Sequence, residues 1–299
     1  MPRWRGQSKG NKFGYSIVIF VCRTLGIQMA YFVLRFVALY FFLFSWRTSR
    51  SIYYYFKKRL GYSSITSLLS VYRNYFVFSQ VLLDKIVLLA GIKSNYTFYF
   101  DGIENLKEMV AEGKGGIILS AHVGNWEAGG SKLEDLNTKF NIVMYDGESQ
   151  QLKEFLNGVQ GEQNFNMIPV KNDMSHVYAI SEALNKNELV CMHADRFLDG
   201  NKTVRKTFLG AEASFPDGPF MMATIFKVPV AIAFAFKETA THHHFFCSPI
   251  VRQQPNEDKH NYKERVTNFF LKEVEAKLKR YPLQWFNYYP FWEEQHLVK

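Results

Sequence analysis

His122 ends an apolar run, GGIILSAH, and after Val123 and Gly124 is followed by Asn125, Trp126 and Glu127. An imidazole can take a proton near neutral pH, and a carboxylate at its second nitrogen fixes the tautomer and stabilises the imidazolium. His122 and Glu127 are five residues apart, which on one continuous helix is about 140° of rotation and keeps them from meeting. If His122 ends a strand and Glu127 lies in the first turn of the next helix, the carboxylate reaches back to the ring. The pair then acts as a general base and its orienting acid, suited to activating a hydroxyl. That helix N-terminus favours an ionised Glu127, and its backbone N–H groups suit a developing oxyanion. Asp195 and Arg196 follow a second apolar run, Leu189 to His193, which brings them toward the same cleft. A guanidinium there suits a headgroup phosphate, and a buried ion pair fits equally well. His193 shares a sheet face with Asp195, either supporting the site or as a satisfied core histidine.

Other constellations carry less. EGKGG (Glu112 to Gly116) has its glycines before the strand and lacks the G-x-x-x-x-G-K-[ST] order, so it reads as a turn. Ser120 lacks the G-x-S-x-G setting of a hydrolase nucleophile. His242, His243 and His244 alternate across a strand without a carboxylate or cysteine cluster, so surface or edge positions are expected and no metal site is read. Cys22, Cys191 and Cys247 are few, odd in number and far apart, which points to thiols in a reducing compartment.

The elements needed to hold such a site are visible after Gly91. Strand-like Thr97 to Phe100, Gly116 to Ala121, Asn141 to Tyr145, Leu189 to His193, Pro229 to Phe236 and His243 to Cys247 are joined by helix-like Glu104 to Glu112, Asn125 to Leu136, Ser149 to Gln160 and Met174 to Asn185, with Tyr262 to Arg280 last. The alternation predicts an α/β fold, a mainly parallel sheet flanked by helices, with its site at the strands' carboxyl ends. The expected division is a hydrophobic, basic, membrane-associated helical region over 1–90 and an α/β domain over 91–299. Within the first, an apolar period runs through Leu68, Val71, Tyr75 and Phe78.

The chain has 299 residues, 47% of them hydrophobic, and a net charge of +9, which excludes a disordered chain. The charge is unevenly spread. Twelve Lys or Arg residues and no acid precede Asp84, leaving 24 basic against 27 acidic residues after it. Basic residues among Phe, Leu and Val suit an anionic bilayer better than a nucleic acid. Arg23, Arg35 and Arg47 cut this head into uncharged runs of 10, 11 and 11 residues, each short of the ~18 that marks a spanning helix. Basic flanks on both sides favour a helical pair turning near Leu25-Gly26 and dipping into one leaflet, with a single span over Ile27 to Trp46 as the alternative. No A-x-A-like site follows the first apolar run, so a cleaved signal peptide is not expected.

HVGNWE resembles the H-x-x-x-x-(D/E) block of the late acyltransferases of lipid A biosynthesis, the lauroyl and myristoyl transferases of the bacterial inner membrane. The hydrophobic head, the strand leading to Asp195, the block TFLGAEASFPDGPFMMA with its matching Gly218, and QWF at Trp285 occur in the family's order. The resemblance implies transfer of a fatty acyl chain from acyl carrier protein, or acyl-CoA, to a hydroxyl of a lipid A precursor at the cytoplasmic face of the inner membrane. His122 is the implied base and Glu127 its partner. Asn125, Trp126, Asp195, Arg196 and Gly218 are expected to bind substrate, with no cofactor and no nucleic acid. Asp146 stands where many members carry arginine, Arg196 where Asp is commonly followed by Gln, and Phe286, Asn287 and Tyr288 replace Trp and Arg residues. These changes leave open another hydroxylated acceptor, namely an amino lipid, a polyene pigment precursor or a lysophospholipid, and a non-catalytic membrane scaffold.

Overall fold

The computed structural model describes residues 12–89, 92, 94–125, 136–145, 165–171 and 173–297. Helices α1 (Lys12–Phe44), α2 (Trp46–Tyr54) and α3 (Ser64–Leu89) precede β1 (Thr97–Asp101), α4 (Ile103–Ala111), β2 (Gly116–Ser120), β3 (Phe140–Tyr145) and β4 (Phe165–Val170). Then come α5 (Ser175–Asn185), β5 (Leu189–His193), β6 (Thr203–Phe208), β7 (Ala211–Pro216), α6 (Asp217–Phe226), β8 (Val230–Lys237), β9 (His242–Cys247), α7 (Lys259–Arg280) and α8 (Glu293–Leu297). The expected helix over Ser149 to Gln160, and most of that over Asn125 to Leu136, lie outside the described residues.

The described strands build a seven-stranded sheet in the order β1-β9-β8-β2-β5-β3-β4, parallel except where β8 meets β9, and a separate β6-β7 hairpin. β2 and β8 are buried along their whole length, as expected for central strands covered on both faces. Their side chains join Val71 and Tyr75 of α3, Phe220 of α6 and Phe270 of α7 in one core, to which Ala38, Ile52 and Phe56 of the head also belong.

Two expectations change. The histidine run lies on an internal strand, where His243 and His244 are buried. β1 covers that flank, and His243 stacks on Phe98. Leu68 is exposed with Ile65 and Leu69, because the buried side of α3 near its start is formed by Ser67, Ser70 and Val71.

Thr24–Phe44 of α1 is long and apolar enough to cross a membrane. The backbone breaks at Gly26 (φ 80, ψ 167), at the expected turn, in a conformation that glycine adopts without a Cβ clash. Ala30, Tyr31 and Leu34 then bury one stripe against Leu83 and Val87 of α3, while Phe32, Phe36, Leu39, Leu43 and Phe44 face outward with Trp46. Arg35 is exposed and leans over the Phe76 ring.

Candidate active site at the carboxyl end of the sheet

β2 and β5 are parallel neighbours in which Ser120 pairs with His193. Two residues beyond each of these, the chains are still side by side, which brings His122 to Asp195. His122 Nδ1 lies 2.7 Å from Asp195 Oδ1, and the His122 backbone N–H donates to Asp195 Oδ2 at 2.9 Å. One carboxylate therefore holds both the ring and the main chain of one residue. The contact at Nδ1 selects the tautomer in which Nε2 is the basic nitrogen. The His122 side chain keeps 21% of its surface exposed, against 4% for Asp195.

The electrostatics agree with this geometry. Burial pushes Asp195 up, but the charge and hydrogen bond of His122, with Arg196 nearby, outweigh it and hold the carboxyl well below the usual range. His193 lies against His122 with ring centroids 4.2 Å apart. Burial, reinforced by His122, holds His193 far below the ordinary histidine value. His122, His193 and Asp195 also bring potential metal-ligand atoms within 4.8 Å of one another.

The loop after His122 is fixed by the main chain. A Cβ at Gly124 (φ +60) would come within 1.9 Å of the Ala235 carbonyl oxygen, so only glycine fits. The Gly124 N–H donates to the Gln284 carbonyl at 2.8 Å and the Asn125 N–H to the Ala235 carbonyl at 2.7 Å. These two amides are thereby engaged in the fold, and the helix N-terminus expected to face an oxyanion lies, beyond Asn125, outside the described residues.

Asn125 is fully buried, its side-chain amide donating to the Val81 carbonyl of α3 at 3.4 Å. Arg196 donates from Nη2 to the Phe286 carbonyl at 2.6 Å, which places it against the C-terminal segment. Gly218 is in the first turn of α6, where a Cβ would meet nothing within 4 Å. Trp126 and Glu127 lie outside the described residues. Sequence reasoning did not single out Asn74, which is buried and bonded to the segment that adjoins His122. A polar side chain inside an otherwise apolar helical stretch was the available signal for Asn74.

Phosphatidylinositol mannoside acyltransferases of two Mycobacterium tuberculosis strains, H37Rv and CDC 1551 / Oshkosh, are 26% and 25% identical to this chain over 123 residues. Each match covers 41% of this chain and spans only 39% of the relative's length. The crystal structure of the 1-acyl-sn-glycerophosphate acyltransferase of Thermotoga maritima aligns with 77% of this chain and 94% of its own at 12% identity, with a TM-score of 0.36. Residues 73–292, from within α3 to Trp292, match the family described as bacterial lipid A biosynthesis acyltransferases, and the chain belongs to that family.

Proposed function

We propose that the protein transfers a fatty acyl chain from a thioester to a hydroxyl of a membrane glycolipid. The observation that carries this reading is the His122–Asp195 contact at the carboxyl end of the sheet, inside the family-matched region. His122 Nε2 removes the acceptor hydroxyl proton while Asp195 stabilises the imidazolium through Nδ1. The oxygen attacks the thioester carbonyl, the tetrahedral adduct expels the thiolate, and the imidazolium returns its proton to sulfur. The products are an ester and a free thiol, with no acyl-enzyme and no cofactor. Asp195 thus takes the orienting role that spacing assigns to Glu127. Glu127, five residues after His122 in the sequence, is proposed as a second carboxylate of the same site. Arg196, whose guanidinium suits a headgroup phosphate, also steadies the cleft wall through Phe286.

The acceptor proposed first is a lipid A precursor and the donor acyl carrier protein, at the cytoplasmic face of the inner membrane. The mannoside-acylating relatives favour a second acceptor of the same chemical kind, a phosphoinositol glycolipid. The membrane seat is the outward apolar face of α1 with the acid-free basic head around it. Because α3 covers the opposite stripe of α1, the helix seats in one leaflet beside the catalytic sheet.

The test is mass spectrometry of lipid products from purified full-length protein given tetradecanoyl acyl carrier protein or tetradecanoyl-CoA with each acceptor. One added tetradecanoyl ester, lost in His122→Ala, is expected. Transfer unchanged in His122→Ala contradicts the reading.

A further inference from the structure

The Gln284-Trp285-Phe286 stretch has no task in the chemistry above, yet it touches the catalytic loop along its length. We infer that residues 283–287 form a strap that positions His122, and that Asn74 of α3 fixes where the strap lies. The inference rests on reading His122 as the base.

Every backbone carbonyl from Leu283 to Phe286 is held by a defined donor. Asn74 Nδ2 donates to Leu283 at 2.9 Å and to Trp285 at 3.0 Å. The Gly124 N–H takes the Gln284 carbonyl at 2.8 Å, and Arg196 Nη2 takes that of Phe286 at 2.6 Å. A 3-10 turn over Pro282–Gln284 runs into extended Trp285, and across that junction one amide on α3 grips the carbonyls of Leu283 and Trp285. Gln284 locks the strap to the end of β8 in both directions, accepting from the Lys237 N–H at 2.9 Å and donating to the Lys237 carbonyl at 2.8 Å. Trp285 is buried, its ring edge-on to Tyr55 and Trp292.

The strap in turn holds the loop. Val123 and Trp285 form an antiparallel bridge, and the Phe286 N–H donates to the His122 carbonyl at 3.1 Å. The His122 main chain is thus fixed on one side by Asp195 and on the other by Phe286. Asn74 is fully buried and reaches His122 only through the strap, so it is a positioning residue. A buried amide in an apolar helix is unfavourable unless bonded, and the strap carbonyls are what this one bonds.

Three variants test the inference in the full-length protein: Asn74→Leu, the milder Asn74→Ser, which keeps one donor, and Ser248→Ala as a stability control. Ser248 accepts the Ile232 N–H near the start of β8, away from His122. With whichever glycolipid acceptor the product screen selects, Asn74→Leu is expected to lower kcat about 10- to 100-fold, the scale of an ångström-sized misplacement, with KM within about twofold. Asn74→Ser should fall between it and the parent, and Ser248→Ala should keep the parental kcat. Hydrogen exchange read by mass spectrometry gives a measure independent of turnover: protection of the Gly124 and Phe286 amides should drop in the Asn74 variants while that of β5 is kept. If Asn74→Leu does not fold, Asn74→Ser carries both measurements. Parental kcat with parental protection in the Asn74 variants, or a raised KM at unchanged kcat, overturns the strap. Transfer by His122→Ala would instead overturn the base assignment, leaving the exchange result to judge the strap alone.

Discussion

Two buried carboxylates, Asp84 and Asp195, each face a basic partner, and the contrast between them separates structure from chemistry. Asp84, 0% exposed on α3, accepts the hydroxyls of Tyr31 and Tyr96 on one oxygen and Lys237 Nζ at 2.6 Å on the other, with His243 Nε2 at 3.4 Å. Lys237 Nζ places its remaining donors on Tyr31 at 2.8 Å and on the Ala240 carbonyl at 2.7 Å. Its three protons and both Asp84 oxygens are satisfied by partners from α1, α3, the β8–β9 end and the segment before β1. Such a closed network fastens the apolar helix to the sheet. Asp195 has both oxygens on the single residue His122, whose ring remains partly exposed. A closed pair resists change of charge, whereas a carboxylate committed to one accessible imidazole supports a proton that comes and goes.

The largest expected effect at the closed pair is on stability. Asp84→Asn or Lys237→Met leaves a buried charge without its partner and should cost about 3–5 kcal/mol. The double variant Asp84→Leu/Lys237→Met should recover much of that loss, and the fraction that remains folded should transfer acyl groups at the parental rate. Denaturant melts of the two single variants and the double variant check this. If the double variant loses the sum of the single losses, the network is not a coupled unit.

Gly124→Ala sharpens the open site. Its Cβ would collide with the Ala235 carbonyl in a left-handed backbone conformation, at a cost of about 1–3 kcal/mol. Activity per folded molecule should fall as well, because relief of the clash must move the His122 loop. Equal melting and equal kcat for this variant would mean that the loop is less constrained than the contacts indicate.

A smaller effect appears with pH. His193 is held far below the ordinary value in the fold, whereas an unfolded chain protonates it near pH ~6.5. The unfolded chain therefore gains protons as pH falls through that value, and the fold loses stability on the acid side, with Asp195 adding its own loss only below about pH 3.9. His193→Phe should flatten the melting temperature between pH 6.5 and 5. An unchanged slope would assign the acid loss to another group.

The smallest effect concerns the head that Asp84 fastens. Replacing the exposed Phe36 or Trp46 with serine removes about 1.5–3 kcal/mol of apolar burial in a leaflet and should shift protein from washed membranes to the soluble fraction. Full release of the parent protein by high salt alone would contradict an inserted apolar face.

The alternation of apolar runs was enough to place every strand of the large sheet but β4, and the central ones most closely, β5 at its observed bounds, because central strands are uniformly apolar. β4 escaped because it is an edge strand carrying Pro169, and the β6–β7 hairpin because it turns on Leu209-Gly210, with Leu209 at φ 49, instead of a residue suited to that turn. His122 could be picked out as a candidate base from its place at a strand end. Its contact with Asp195 was harder to see, because spacing draws attention to the nearby Glu127 while the Asp195 contact depends on the β2–β5 register. Asn74, Asp84 and His243 were unreadable for a related reason. Each looks like a stray polar residue in an apolar stretch until the fold supplies partners from distant segments.

The most direct test of the account compares Asp195→Asn with Asp84→Asn in one single-turnover acyl-transfer assay, normalised to folded protein. Asp195→Asn should lose about 10³- to 10⁴-fold in rate by misplacing the imidazole tautomer, with modest loss of stability, while Asp84→Asn should melt early and transfer at the parental rate. Parental transfer by folded Asp195→Asn would contradict the assignment of His122 and Asp195 as the acid–base pair.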